Sequence, residues 1–430
     1  MPDTRPATFS TANPHALATI LEASQTRSII ASRDIFDVSG TKLWARDQPV
    51  SVALQRKLLD RQLRHPLESC LYAENGVTSR TLVQSVEALL AHDSPLAALL
   101  VPCADKLLHA ATHLPLHSVA QLMLTAGQAS RPDTYDHAVQ AMALAGALAL
   151  AHGGDTRQLR LAMLCGLLHD LGEMYIAPEY GEADADRTLD FQSYQHLVVH
   201  PHVGRLLVEQ LTNYPVEVAR AIGEHHERLD GTGYPHCLQR DQVSPLGRLT
   251  AVADNALAVL RGERAHVARA SVALRVVPGE YDLGWVGAFA AAARMQPAQP
   301  ARLTVEQIGE RLARLDAALQ GAQSAVAASM LAAHTPALKD ALGLAQHLLQ
   351  RLRTGWNASG LWSAEGVQAQ DAAEVEAVED ELRYRLRGIQ RATQLRAGDL
   401  PAADAERLRA FCDGIADAAL EEEELVGEAQ

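Results

Sequence analysis

The chain has 430 residues, a net charge of −14 and only 4% aromatic residues. That acidity excludes a large nucleic-acid surface, because neutralisation of phosphates by basic side chains drives such binding. Five scattered cysteines (70, 103, 165, 237 and 412) without a CxxC spacing exclude a disulfide framework or a thiolate zinc ribbon.

The opening Met1-Pro2-Asp3-Thr4-Arg5 lacks an apolar signal stretch, and the longest apolar run, Ala141 to Ala151, is too short to span a bilayer. A cytoplasmic protein with no membrane attachment is expected. Alanine and leucine dominate, which favours a mainly α fold. Residues 1–130 form the first expected region. It begins with a helix near His15 to Ser28. Ile35-Phe36-Asp37-Val38, the Ser39-Gly40 turn and Lys42-Leu43-Trp44 then read as a small β-hairpin. Helices follow around Val52 to Gln62 and Thr81 to His92. No aspartate-rich phosphoacceptor pattern marks a receiver domain.

Residues 131–295 hold the chemistry. Nine of the 18 histidines fall between 137 and 236, under a quarter of the length. Asp133, just after Pro132, lies one helical turn before His137, where a helix start favours an acidic residue. The apolar run Leu161 to Leu168 leads into His169-Asp170-Leu171-Gly172. A helix is expected over His196 to Leu211, carrying His200. His225-His226-Glu227 then runs into Asp230-Gly231-Thr232-Gly233-Tyr234-Pro235, where glycines and proline end any helix. Adjacent helical histidines point roughly 100° apart and can serve two neighbouring ions. Ser244-Pro245 has the chemistry of a helix start for the segment bearing Asp254. A carboxylate in such apolar surroundings needs a cation or donor nearby. Histidine with carboxylate suits Fe, Mn or Zn. Single histidines such as His152 and His236 read as surface or satisfied core residues.

This order of residues resembles the HD-GYP family of cyclic di-GMP phosphodiesterases, over about residues 131–290. A lone His-Asp pair would be weak; the loop motif in register with four other ligand positions is specific. Leu238, Arg248 and Gly279-Glu280-Tyr281-Asp282 agree with it. The resemblance implies an HD-type helical bundle core and a two-metal set of His137, His169, Asp170, His200, His225, His226 and Asp254. It selects His200 over His196 and His202. Asp133 stands where some members carry a glutamate for a third ion. His169, Asp170 and Glu227 are the implied catalytic group. Arg187, Arg228, Asp230, Gly231, Gly233, Tyr234 and Pro235 are the implied substrate contacts. Two divalent ions, or three with Asp133, are expected, with Fe or Mn preferred. Two positions depart from the family. Glu173 replaces the lysine that usually follows the His-Asp pair. The stretch Gly181 to Arg187 is acidic, with only Arg187 supplying a positive charge. The phosphate clamp is therefore weakened by sequence.

Gln296-Pro297-Ala298-Gln299-Pro300 reads as a linker. Residues 301–430 show apolar positions at helical spacing (Leu303, Ile308, Leu312, Leu315, Leu319), which predicts a helical bundle for packing or homodimerisation. Two function classes follow. One is an enzyme that hydrolyses cyclic di-GMP to pGpG, or onward to GMP. The other is a catalytically weakened HD-GYP module that binds metal or cyclic dinucleotide and regulates partners such as GGDEF diguanylate cyclases.

Overall fold

The computed structural model describes residues 9–177, 197–262, 264–297, 300–359, 372–394, 396–397 and 400–420. Among them, 9–177 with 197–262 form one compact unit and 264–420 a second.

The first unit opens with α1 (Pro14–Ala23), started by Asn13, whose side chain accepts from the His15 and Ala16 amides. Such a cap satisfies amides that have no partner within the helix. Four short strands follow: β1 (Ile29–Ala31), β2 (Ile35–Phe36), β3 (Lys42–Trp44) and β4 (Leu71–Ala73). β2 pairs antiparallel with β3, placing Ile35 opposite Trp44 as the hairpin reading expects, and β1 pairs with β4. Then come α2 (Val52–Leu58), α3 (Ser79–Ala91), α4 (Pro95–Leu100), α5 (Ala104–Thr112) and α6 (Ser118–Ser130).

Five further helices surround the histidines: α7 (Pro132–Ala151), α8 (Thr156–Leu168), α9 (His200–Leu211), α10 (Val216–Glu224) and α11 (Pro245–Arg261). α7 is apolar nearly all round and buried, with Ala141, Met142, Ala143 and Ala145 almost inaccessible. Small residues let its neighbours approach, and the fold is mainly α, as composition predicts. α9 begins at His200, four residues later than the expected start. Pro201 occupies its first turn, where a missing amide costs nothing, and a turn at 198–199 precedes it. Ser244 caps α11 by accepting from the Gly247 amide, with Pro245 behind it.

The second unit holds α12 (Val267–Ala273), α13 (Leu283–Ala293), α14 (Val305–Ala332), α15 (Pro336–Ser359), α16 (Ala372–Gln394) and α17 (Ala402–Leu420). Ile308, Leu312, Leu315 and Leu319 all lie in its core, with Leu303 packed against them, so the spacing on α14 maps onto the buried face. Each such leucine stabilises the fold by about 1.5–3 kcal/mol. Asp380 accepts from Arg269 at 2.7 Å and Arg311 at 2.9 Å, and Arg385 pairs with buried Glu280 at 2.6 Å. Among the described residues, no single helix is long and apolar enough to cross a membrane.

Candidate metal centre

Helix ends, more than helix middles, deliver the site. His169 closes α8, Asp170 starts the 3-10 turn Leu171–Tyr175, His200 opens α9, and His225 closes α10 beside His226. Only His137 and Asp254 project from helix bodies. Gly172 explains how α9 comes so close. A Cβ there would lie 2.0 Å from the His200 carbonyl oxygen, so only glycine lets the 3-10 turn pack on the helix start.

The seven residues form two adjoining groups, His137 with His169 and Asp254, and Asp170 with His200, His225 and His226. Asp170 also approaches the first group. Its Oδ2 is 3.2 Å from His137 Nε2 and 3.1 Å from His169 Nε2. Its Oδ1 is 3.3 Å from His200 Nε2 and 3.4 Å from His225 Nε2. Asp254 Oδ1 lies 3.3 Å from His137 Nε2, and its Oδ2 lies 3.9 Å from His226 Nδ1. All seven are buried.

The hydrogen bonds behind the rings decide what these nitrogens want. Nδ1 of His169, His200 and His225 meets the carbonyl oxygen three residues earlier, Gly166, Leu197 and Ile222, at 2.8, 2.7 and 2.6 Å. A carbonyl can only accept, so each Nδ1 carries a proton and Nε2 is the ring nitrogen turned inward. Nε2 of His200 and Nε2 of His225 are 3.1 Å apart, facing each other. Asp170 Oδ1 beside them is buried and accepts no hydrogen bond among the described residues. Converging ring nitrogens with an orphaned carboxylate oxygen fit a divalent cation, and this hard, mixed N/O donor set suits Fe, Mn or Zn.

Electrostatics agree. Burial opposes charge on His137, yet its hydrogen bonds to Asp170 and Asp254 outweigh that and bring its pKa up to about 9. His169 is likewise raised, against burial, by the Asp170 charge. Burial also works against the Asp170 and Asp254 carboxylates, but the histidines hold both well below the usual range. His225 goes the other way, pushed down to about 3 by burial and then by His226. One half of the site thus takes up positive charge while the other resists protonation, and metal cations answer both.

The glycine loop packs over this centre. Tyr234 stacks on His226, with centroids 4.6 Å apart and ring planes 23° from parallel, and its amide donates to the His226 carbonyl at 3.1 Å. A Cβ on Gly233 would lie 2.4 Å from that same carbonyl and 2.3 Å from the Arg228 nitrogen, which fixes glycine there. Gly231 has φ +82° and the Tyr234–Pro235 peptide is cis. Asp230 Oδ1 accepts from the Thr232 amide and hydroxyl at 3.1 and 2.6 Å, so it shapes the loop. Arg228 donates to the Glu227 carbonyl at 3.1 Å.

Glu227 serves the loop instead of facing the ligand cluster. Its Oε1 accepts from the His236 amide at 2.7 Å and its Oε2 from the Leu238 amide at 2.8 Å. Asp133 is exposed at the start of α7 and lies in neither ligand group. Glu173 is 1% exposed, and its amide donates to the Asp170 carbonyl at 2.9 Å. Arg187 and His196 lie outside the described residues. His152, His202 and His236 are exposed and outside both ligand groups.

Two contributors escape a reading of the sequence. Buried Glu224, one residue before the paired histidines, accepts from the Ser244 amide and hydroxyl at 2.8 and 2.5 Å. It therefore ties the end of α10 to the start of the helix bearing Asp254. Arg261, two turns beyond Asp254, sits within electrostatic reach of Asp133, Asp136, Asp170 and Asp254; burial lowers its pKa and those carboxylates oppose the shift. Its spacing of seven from Asp254 was the available signal.

Residues 120–278 match the HD domain family. The chain is 30% identical over 217 residues to "Cyclic di-GMP phosphodiesterase PA4108" of Pseudomonas aeruginosa, covering 50% of each chain. It is 30% identical over 234 residues to "3'3'-cGAMP-specific phosphodiesterase 3" of Vibrio cholerae, covering 50% of this chain and 49% of that one. A second Vibrio cholerae protein, "3'3'-cGAMP-specific phosphodiesterase 1", is 30% identical over 137 residues, 32% of this chain and 31% of the relative. The matched stretch thus spans about half the length, or less, of these relatives.

Proposed function

We propose, from the premise that residues 120–278 are an HD domain of the HD-GYP type, that this chain is a metal-dependent cyclic dinucleotide phosphodiesterase. The observation that supports it best is Asp170, with one carboxylate oxygen beside each of two adjoining histidine groups. His137, His169 and Asp254 would hold one ion, His200, His225 and His226 the other, and Asp170 would bridge them. Such a pair, Fe or Mn by its donors, supplies an activated water and takes up charge on the attacking and leaving oxygens of a phosphodiester.

The protein's own part is orientation. Backbone carbonyls lock the tautomers of His169, His200 and His225. Tyr234 stacks on the His226 ring and holds it in place, and with Asp230, Gly231, Gly233 and Pro235 would contact the substrate. Arg261 would offset the phosphate charge, with Arg187 and Arg228 as further contacts. Cyclic di-GMP and 3'3'-cGAMP are the substrates named for the relatives, and cyclic di-GMP going to pGpG is the reading for this chain. Incubation with cyclic di-GMP and chromatography of the products tests it. Hydrolysis should vanish with a chelator and return with Fe or Mn.

Buried Glu173 favours a second reading, in which a weakened module regulates partners such as GGDEF diguanylate cyclases. In it, residues 301–430 would pair two copies of the chain. A fully metal-loaded protein that binds cyclic di-GMP without cleaving it would establish this reading over the first.

A further inference from the structure

Asp170 begins the short 3-10 turn Leu171–Tyr175, so its carboxylate is placed only as well as that turn is fixed. Within the turn, the Glu173 amide donates to the Asp170 carbonyl at 2.9 Å and the Ile176 amide to the Glu173 carbonyl at 3.2 Å. Hydrogen bonds of this kind have poor geometry and hold a short segment weakly. The rest of the hold comes from α1. Arg131 Nη1 donates to the Glu173 carbonyl at 3.1 Å, while its Nη2 donates to the Thr19 hydroxyl at 3.0 Å. Asn13 Nδ2 donates to the Tyr175 carbonyl at 3.2 Å. Phe9 packs edge to face on the Tyr175 ring, with centroids 5.7 Å apart.

We propose that α1 is a clamp on the turn of the bridging aspartate, with Arg131 and Asn13 as positioning residues, and that the N-terminal region thereby sets how tightly the centre holds its ions. The proposal rests on the reading of Asp170 as a bridging ligand.

Arg131 joins three elements. It immediately precedes Pro132 and so starts α7, the helix that bears His137. Its guanidinium is a planar fork that fixes the Glu173 carbonyl and the Thr19 hydroxyl relative to each other. Thr19 is itself held, since it is buried and its hydroxyl donates to the His15 carbonyl at 3.0 Å. One side chain therefore governs how α7 meets the turn, and with it the 3.2 Å approach of His137 Nε2 to Asp170 Oδ2. Asn13 works in both directions. Its Oδ1 caps α1 by accepting from the His15 and Ala16 amides at 2.9 and 3.0 Å, and its Nδ2 holds the end of the turn. Both grips belong to one helix, so a displacement of α1 would loosen the Glu173 and Tyr175 carbonyls together. Neither Arg131 nor Asn13 lies in a ligand group, so both act through the turn.

Mn affinity of the full chain, measured by competition with a chelator, tests the clamp. Wild type should bind two ions. Asn13→Asp keeps an oxygen to cap α1 and loses the donor to Tyr175, and Arg131→Met loses both grips at similar length. Each should weaken Mn binding about 10- to 100-fold, as loss of a partner that orients a ligand does. Leu319→Ala, which opens a cavity in the core of the second unit, should lower the melting temperature and leave Mn affinity at the wild-type value. Asn13→Asp carries the test if Arg131→Met does not fold. Wild-type affinity in either folded variant would overturn the proposal, as would an equal loss of affinity in Leu319→Ala. A wild type that takes up no Mn would overturn the two-metal reading, and the clamp with it.

Discussion

The Tyr175 hydroxyl donates to the Glu68 carboxylate at 2.6 Å, tying the turn that follows Asp170 to the N-terminal region, 107 positions away in sequence. Both partners are buried, so neither can turn to water when the other is lost. Tyr175→Phe should therefore cost about 1–3 kcal/mol, the cost of stranding a buried polar group. A urea midpoint equal to that of wild type would contradict this.

The same pair sets a pH dependence. Burial raises the Glu68 pKa above its ordinary value of 4.5, against the opposing hydrogen bond from Tyr175. The folded state then holds a proton that the unfolded chain releases. This contribution is full below pH 4.5 and is lost as pH rises through the raised folded-state value. Glu68→Gln should remove that part of the slope in denaturation measured across pH. A variant with the wild-type slope would show that Glu68 does not titrate there.

Gly172→Ala should separate the two ligand groups. The added methyl would lie 2.0 Å from the His200 carbonyl, so α9 must shift and carry His200 with it. Metal analysis should show fewer ions per chain, with helical content by circular dichroism largely retained. Full metal content would contradict the packing argument.

Glu227→Ala should act on the loop and spare the ligands. It strands the His236 and Leu238 amides that Glu227 now accepts from. Stability should fall by about 1–3 kcal/mol while the metal content stays at the wild-type value. Loss of metal in a folded variant would place Glu227 among the ligands.

Much of the candidate site was legible because its residues recur in short, chemically unusual runs. His169-Asp170, His225-His226 and the glycine loop each stand out from helical packing, and the structure gathers them with His137, His200 and Asp254. The carbonyls of Gly166, Leu197 and Ile222 were not legible, since every residue has one and only the helix turn aims it. Glu227 read as part of the catalytic group, whereas the loop's amides claim both its oxygens. The apolar face of α14 followed from spacing, but the pairing of Asp380 with Arg269 and Arg311 joins distant segments and leaves no local pattern.

Metal content of the purified chain and of His169→Ala/Asp170→Ala, measured alongside hydrolysis of cyclic di-GMP, tests the bridging role of Asp170 most directly. The wild type should hold about two ions per chain, as a two-metal hydrolase requires. The double variant should lose at least one ion and reduce hydrolysis by several orders of magnitude. A folded double variant that keeps both ions and the wild-type rate would contradict the account.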